Sequence, residues 1–438
     1  MNSSSELPLL SLRAFLALAH PDEVHYKTHL EVPNFVMRAV PYMLLMLGIE
    51  YVLISKRKVG RMRLNDGVSS VVSGILSRLS PKYYEKYVMI FYVYVYENYK
   101  VVDLSSHYYF EYFLTFIVVD FFYYWFHRMC HEVNFFWAMH QVHHSSEDYN
   151  LTTALRQSMF QGFFGFLTSL PMALFISPPI FVVQSMFNLL FQFWIHTEQV
   201  KNIGWLEYII NNPSAHRVHH GRNPYCIDKN YAGTLMIWDY LFGTYQKENE
   251  KVYYGLVSPL SSWDPIHTQL LYFRHIFKNM LSNVSLKHWF NCIFKGPGWT
   301  PENGYNNPIP EVETPVQIYD NDSHLWGYNV YAAINVLILL AISAVISDDA
   351  SVFVFLLYHS YIILSVYIIM AELESRSWAI KAELMRNLAT VTFIIIFKNF
   401  CMYTTNSSVN ALRLIAGVFT FNVIILYTWH KRNLKKFK

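Results

Sequence analysis

The chain has 438 residues, of which 53% are hydrophobic and 15% charged, with a net charge of +3. Its apolar residues gather in blocks close to the ~20 residues that a helix needs to cross a bilayer, which argues against a string of soluble domains. No nucleic-acid partner is expected. The four cysteines (Cys130, Cys226, Cys292 and Cys401) lack CxxC or zinc-finger spacing, so no disulfide framework is expected either.

Along the chain, candidate spans fall at 36–55, 87–102, 108–126, 157–176, 178–196, 324–346, 352–371, 386–402 and 409–429. The opening "MNSSSELPLLSLRAFLALAH" has a short apolar core and no positive start. It makes a poor signal peptide, so the first span is expected to anchor itself. Glu97 and Lys100 interrupt the second span, for which an interfacial helix is the alternative. The fourth and fifth meet at "SPP" (Ser177 to Pro179) as a tight helical hairpin.

Basic residues beside spans favour the cytosolic side, and they follow the first span in "SKRKVGRMR" and close the chain in "WHKRNLKKFK". Counting crossings from there puts 127–156, the polar stretch 197–322 and the C-terminus in the cytosol. The expected fold is an all-α polytopic membrane helix bundle. Its expected parts are an N-terminal membrane region (1–107), a core (108–250), a cytosolic segment (251–322) and C-terminal transmembrane helices (323–438). Lys435 and Lys436, fourth and third from the end, resemble a dilysine signal for the endoplasmic reticulum membrane.

Three histidine clusters punctuate this layout: His127 and His131 in "HRMCH", His140, His143 and His144 in "HQVHH", and His216, His219 and His220 in "HRVHH". On a helix, positions i, i+3 and i+4 share one face, so each word projects its imidazoles one way. A lone histidine at a membrane boundary is usually structural. Eight in three windows point instead to metal, because imidazolium charges so crowded would repel one another without it. Eight imidazoles are too many for one ion and suit two. Zn, Cu, Fe and Ni all accept imidazole; a site beside the bilayer, poised to attack lipid C–H bonds with O2, favours two iron ions. His196, ending the fifth span on the same side, is a ninth candidate ligand.

Ligating histidines need acceptors for their other nitrogen. Glu132, Glu147, Asp148, Glu198, Asp228 and Asp239 are the nearby carboxylates, with Glu132 first in line for a catalytic role at the site or its reductant pocket.

The order HxxxH, HxxHH, HxxHH between hydrophobic hairpins resembles the fatty acid hydroxylase superfamily of integral membrane di-iron enzymes. The words "WFHRMCHEVNFFWAMHQVHHSSEDYNLTTALRQS", "NLLFQFWIHTE" and "HHGRNPYCIDKNYAGTLMIWDYLFGTY" are similar to its glyceryl-ether-cleaving branch, over about residues 118–250. The resemblance implies that the eight box histidines bind iron. It also implies O2 activation with electrons from tetrahydrobiopterin, and hydroxylation of the carbon beside the ether oxygen of an alkylglycerol. The resulting hemiacetal would collapse to a fatty aldehyde and a glycerol derivative. No motif spells out the pterin site; Trp137, Tyr149, Tyr225 and Tyr231 are aromatic candidates for stacking. The alternatives are a sterol or sphingolipid hydroxylase of the same superfamily and, from another class, a metal transporter.

Overall fold

The apolar blocks fold as helices, as their length and composition require. In the computed structural model the described residues are 7–79, 81–302, 304–305, 308–313, 318–319, 335 and 352–400. The expected spans at 324–346 (Asn335 aside) and 409–429, with Cys401 and the Lys435–Lys436 tail, lie outside them. The helices are α1 (Leu7–Arg13), α2 (Phe35–Arg57), α3 (Leu64–Leu79), α4 (Pro81–Tyr99), α5 (Tyr108–Glu132), α6 (Asn134–His144) and α7 (Gln161–Ser169). They continue with α8 (Pro178–Trp194), α9 (Pro213–His219), α10 (Ile237–Leu241), α11 (Pro265–Leu281) and α12 (Leu286–Phe294), then α13 (Val352–Leu373) and α14 (Ala379–Phe400). Among the described residues no β-strand forms, only isolated bridges such as Ile210 with Leu235.

Among the described residues, two helical stretches are long and apolar enough to cross a membrane: His29–Arg57 and Leu356–Leu373. They match the expected spans at 36–55 and 352–371. The other expected spans within the described residues are helical but shorter or more polar. α5 carries Glu111 and Asp120 within its apolar run, and α8 has 17 residues. The expected 157–176 span is broken. α7 ends at Ser169 and a 3-10 turn, Leu170–Leu174, follows. Pro171 in that turn has no N–H to give to a continuing α-helix. A new helix does begin at the expected turn, because Pro178 at the first position of α8 starts a helix without wasting a donor.

The chain divides into two compact units, Met1–Ser261 with His267–Tyr319, and Ser262–Ile266 with Asp320–Lys438. In the second, α13 packs on α14, and Arg386 of α14 reaches the Tyr361 hydroxyl (3.0 Å) and Ser365 Oγ (3.2 Å) of α13. In the first, α5 packs against both α6 and α8. Phe181, Phe187 and Phe193 of α8 lie in one apolar core with Phe15, Phe35 and Tyr112.

Polar ties then fix that core to the loops. Glu111 Oε1 accepts the Ser177 N–H at 2.7 Å, pinning the start of α5 to the turn before α8. Buried Asp120 accepts from Thr234 N, Leu235 N, Trp238 Nε1 and Asn188 Nδ2 at 2.7–2.9 Å, joining α5, α8 and the loop before α10. That loop lies so close to α5 that a Cβ on Gly233 would sit 2.7 Å from the Tyr123 ring and 2.9 Å from Asp120 Oδ1.

α3 contributes a buried ion pair. Arg156 Nη2 donates to Asp66 Oδ1 at 2.9 Å, and both side chains are 1% exposed. Arg156 also donates to the Ser70 and Ser145 hydroxyls (both 3.0 Å), so its guanidinium is well supplied with partners. Removing one member of such a pair leaves a buried, uncompensated charge, at a cost of about 3–5 kcal/mol. Asp66→Ala should therefore lower the apparent melting temperature of the detergent-solubilised chain sharply, and Asp66→Leu with Arg156→Met should recover much of the loss. Wild-type melting of Asp66→Ala would show that the pair does not hold α3 in place.

Candidate metal centre

Three helix ends and one turn deliver the histidines. His127 and His131 occupy the last two turns of α5, and His140, His143 and His144 end α6. His216 and His219 lie on α9, with His220 as its C-cap, and His196 follows α8. Asn212 starts α9 by accepting the Ala215 N–H at 3.0 Å, and Pro213 takes the first position. Arg217, on the outward face of that short helix, chelates Glu248 (2.7 and 2.8 Å) and the Val200 and Lys201 carbonyls, holding α9 against the segment after His196.

The nine imidazoles converge into two groups. One holds His127, His131, His140, His144 and His219; the other holds His143, His196, His216 and His220. Within each group the ligand nitrogens all lie within 4.8 Å of one another, and every residue is buried. The eight box histidines and His196 therefore come together in the fold.

Their hydrogen bonds specify how they point. The Nδ1 atoms of His127, His143, His196 and His219 lie 2.7–2.9 Å from the carbonyl oxygens of Tyr231, Arg156, Gln192 and Lys229. A carbonyl only accepts, so these nitrogens carry the proton and Nε2 carries a lone pair. His140 Nδ1 faces Gln161 Oε1 at 3.0 Å in the same sense. Those lone pairs then confront each other. Nε2 of His127 and His140 are 3.0 Å apart, and Nε2 of His143 and His196 are 3.3 Å apart. Nε2 of His131, His219 and His220 is buried with no hydrogen-bond partner. Burial, reinforced by neighbouring imidazoles, pushes His127, His131, His140, His144, His216, His219 and His220 well below the usual histidine range, and burial takes His143 down to about 4. Neutral, inward-pointing, unpaired nitrogens form a donor set suited to cations. Each group could hold one.

The other candidates divide. Glu132 belongs to neither group: it pairs with Arg128 (2.9 Å) and accepts from the Tyr231 hydroxyl at 3.4 Å, while the Tyr231 ring lies 5.2 Å from that of His131. Asp228 stands 3.6 Å from His131 Nδ1. Asp239 accepts the Tyr231 and Ala232 N–H groups (2.8 and 2.9 Å), shaping the loop whose carbonyl holds His127. Asp148 and Glu147 bind Arg63, and Glu198 accepts from Tyr254. Among the aromatics, Trp137 lies 5.3 Å from the His131 ring and Tyr149 lies 5.2 Å from that of His220. Tyr225 turns away, donating to the Glu250 carbonyl. Cys130 is buried and has no place in either group. Asp66, Asp120, Arg156 and Arg217 are positioning residues that the motif reading passes over; a single charge inside an apolar word, as in "TFIVVDFF", is the signal that marks Asp120.

Metal analysis tests the grouping directly. The purified chain should carry about two transition-metal ions, one for each donor set. His216→Ala and His196→Ala should each reduce this to about one ion by emptying the same group. Full metal in His196→Ala would remove that residue from the ligand set.

A fatty acid hydroxylase family model matches residues 112–244, the stretch that contains every histidine of both groups. The chain is 44% identical over 335 residues to alkylglycerol monooxygenase from Xenopus tropicalis, covering 76% of this chain and 75% of that one. It is 42% identical over 388 residues to the Homo sapiens alkylglycerol monooxygenase (86% of each chain) and 39% identical to that of Danio rerio over 85% of each. No solved structure matches the chain. With such identity sustained over most of its length, the chain belongs to the alkylglycerol monooxygenase family, a branch of the fatty acid hydroxylases.

Proposed function

We propose that the chain is an ether-lipid monooxygenase whose nine histidines hold two iron ions. With O2 and tetrahydrobiopterin it hydroxylates the ether-linked carbon of alkylglycerols and lyso-ether lipids. The observation that carries this reading is the pair of buried groups of unpaired imidazole nitrogens, in a chain akin to alkylglycerol monooxygenases. Imidazole alone does not choose among Zn, Cu, Fe and Ni. Oxidising an unactivated C–H bond excludes zinc, which has no redox chemistry. Iron, when bound, would supply O2 activation.

The chain's own residues do the rest. The backbone carbonyls behind His127, His143, His196 and His219 keep Nδ1 protonated and Nε2 free, and burial of all nine rings keeps bulk water from the reacting carbon. The hydroxylated carbon bears both a hydroxyl and the ether oxygen. Cleavage of that C–O bond then releases a fatty aldehyde as the proton passes to the departing glycerol oxygen. We assign Glu132 to the reductant rather than to the metal; its contact with Tyr231 and its position outside both groups support this.

We assign residues 108–250 as the catalytic core within a polytopic bundle of the endoplasmic reticulum membrane, with the histidine site and C-terminus cytosolic. The two candidate membrane helices among the described residues and the basic stretch after the first of them support this placement.

Two measurements bear on the reaction. Tetrahydrobiopterin and O2 alone should sustain conversion of a 1-alkylglycerol to fatty aldehyde. A requirement for a cytochrome and its reductase would favour a sterol or sphingolipid hydroxylase instead. Glu132→Gln should retain both metal ions while losing most of its turnover. Equal losses of metal and turnover would make Glu132 a support for His131 rather than a residue for the reductant.

A further inference from the structure

Beside the second histidine group lies a cavity of about 560 Å³, lined by Lys58, Arg61, Glu147, Glu198, Arg222 and Lys251 among others. One wall is a tyrosine pair: Tyr149 and Tyr254 stack with centroids 4.7 Å apart, and the Tyr149 ring lies 5.2 Å from that of His220. Its acids are already engaged. Asp148 Oδ1 accepts from Arg61 Nε (2.5 Å) and Arg63 Nε (3.0 Å). Glu147 Oε2 accepts from Arg63 and from the Tyr319 N–H, and Glu198 Oε1 from the Tyr254 hydroxyl. The remaining cations are less fully engaged. Arg222 makes one long bond, 3.5 Å to the Leu256 carbonyl, and its buried Nε has no partner. Lys251 rests over the Tyr253 ring and Lys58 caps α2. Among the described residues neither these lysines nor Arg222 forms an ion pair, although all three border one cavity.

We propose that this cavity is a binding site for a phosphate group, held by the Arg222 guanidinium with Lys58 and Lys251. A half-buried guanidinium held by one long hydrogen bond can turn its Nη donors to the oxygens of a tetrahedral anion, and lysines add compact charges at the edge. The volume exceeds what phosphate needs and falls within the range of small-molecule sites, so the phosphate arrives on a larger body that the tyrosine wall can flank. Two sources share this chemistry: the headgroup of a phospholipid and a soluble phosphate ester. The site goes beyond the oxygenase reading and holds whether or not the neighbouring group carries out that reaction.

The test uses the metal-loaded full chain in detergent at constant ionic strength. Inorganic phosphate, glycerol 3-phosphate and short-chain phosphatidic acid are titrated in turn by calorimetry. All three should bind the wild-type chain. Loss of a charged hydrogen bond to phosphate makes Arg222→Ala about tenfold weaker or more. Tighter binding of phosphatidic acid than of glycerol 3-phosphate identifies a lipid source, and the reverse order identifies a soluble one; either supports the site. The double variant Lys58→Ala, Lys251→Ala alters only exposed side chains and should weaken binding by a similar factor. It decides the matter alone if Arg222→Ala loses metal or fails to fold. Equal affinity in wild type and variants overturns the proposal, as does a wild-type chain that binds none of the three.

Discussion

Everything in the first unit is arranged around an arrangement of lone pairs that repels itself. Four imidazoles present Nε2 to one another at 3.0–3.3 Å while their opposite nitrogens donate to carbonyl or amide oxygens. Protonation would relieve the contact in water, but here it would bury charge beside charge. Only a cation accepted from outside resolves both costs at once. The centre is therefore built as an unsatisfied polar interior, and any metal it took up would bind with a free energy shared with folding.

An interior like this must be held from behind, and the chain does so with ion pairs and carboxylate clamps rather than with apolar packing alone. Arg156 links the two kinds of support: its guanidinium is locked to Asp66 of α3 while its own carbonyl holds His143. Asp239 plays the corresponding part under His127, through the N–H groups of Tyr231 and Ala232. Arg217 and Glu248 clamp the helix that carries His216 and His219. Each support reaches a different helix end, so the three boxes arrive from three directions without a shared secondary structure.

The centre was largely legible in the sequence because helical spacing is a local property. The i, i+3, i+4 words place their rings on one face whatever the tertiary fold, and α5, α6 and α9 present them so. His196 was found by position, at the end of a hydrophobic run. The division into five and four was not legible, since it depends on which faces meet across long separations; His143 leaves its box partners His140 and His144 to join His196. The supports were hidden for the same reason, as Asp66 and Arg156 are 90 residues apart. Hydropathy outlined the helices among the described residues but not their buried acids: blocks such as that of α5 interleave carboxylates that serve the loops.

The groups that orient the imidazoles are, for four of the nine rings, main-chain carbonyls: those of Arg156, Gln192, Lys229 and Tyr231. A carbonyl belongs to the path of the chain and not to the identity of a side chain. Evolution can therefore exchange Lys229 for almost any residue without turning His219, whereas shortening the Asp228–Tyr231 loop by one residue would misdirect His127 and His219 together. Drift in this family should accordingly be written in substitutions around the centre and hardly ever in insertions or deletions there. The length of its loops, more than their lettering, is what inheritance has to conserve.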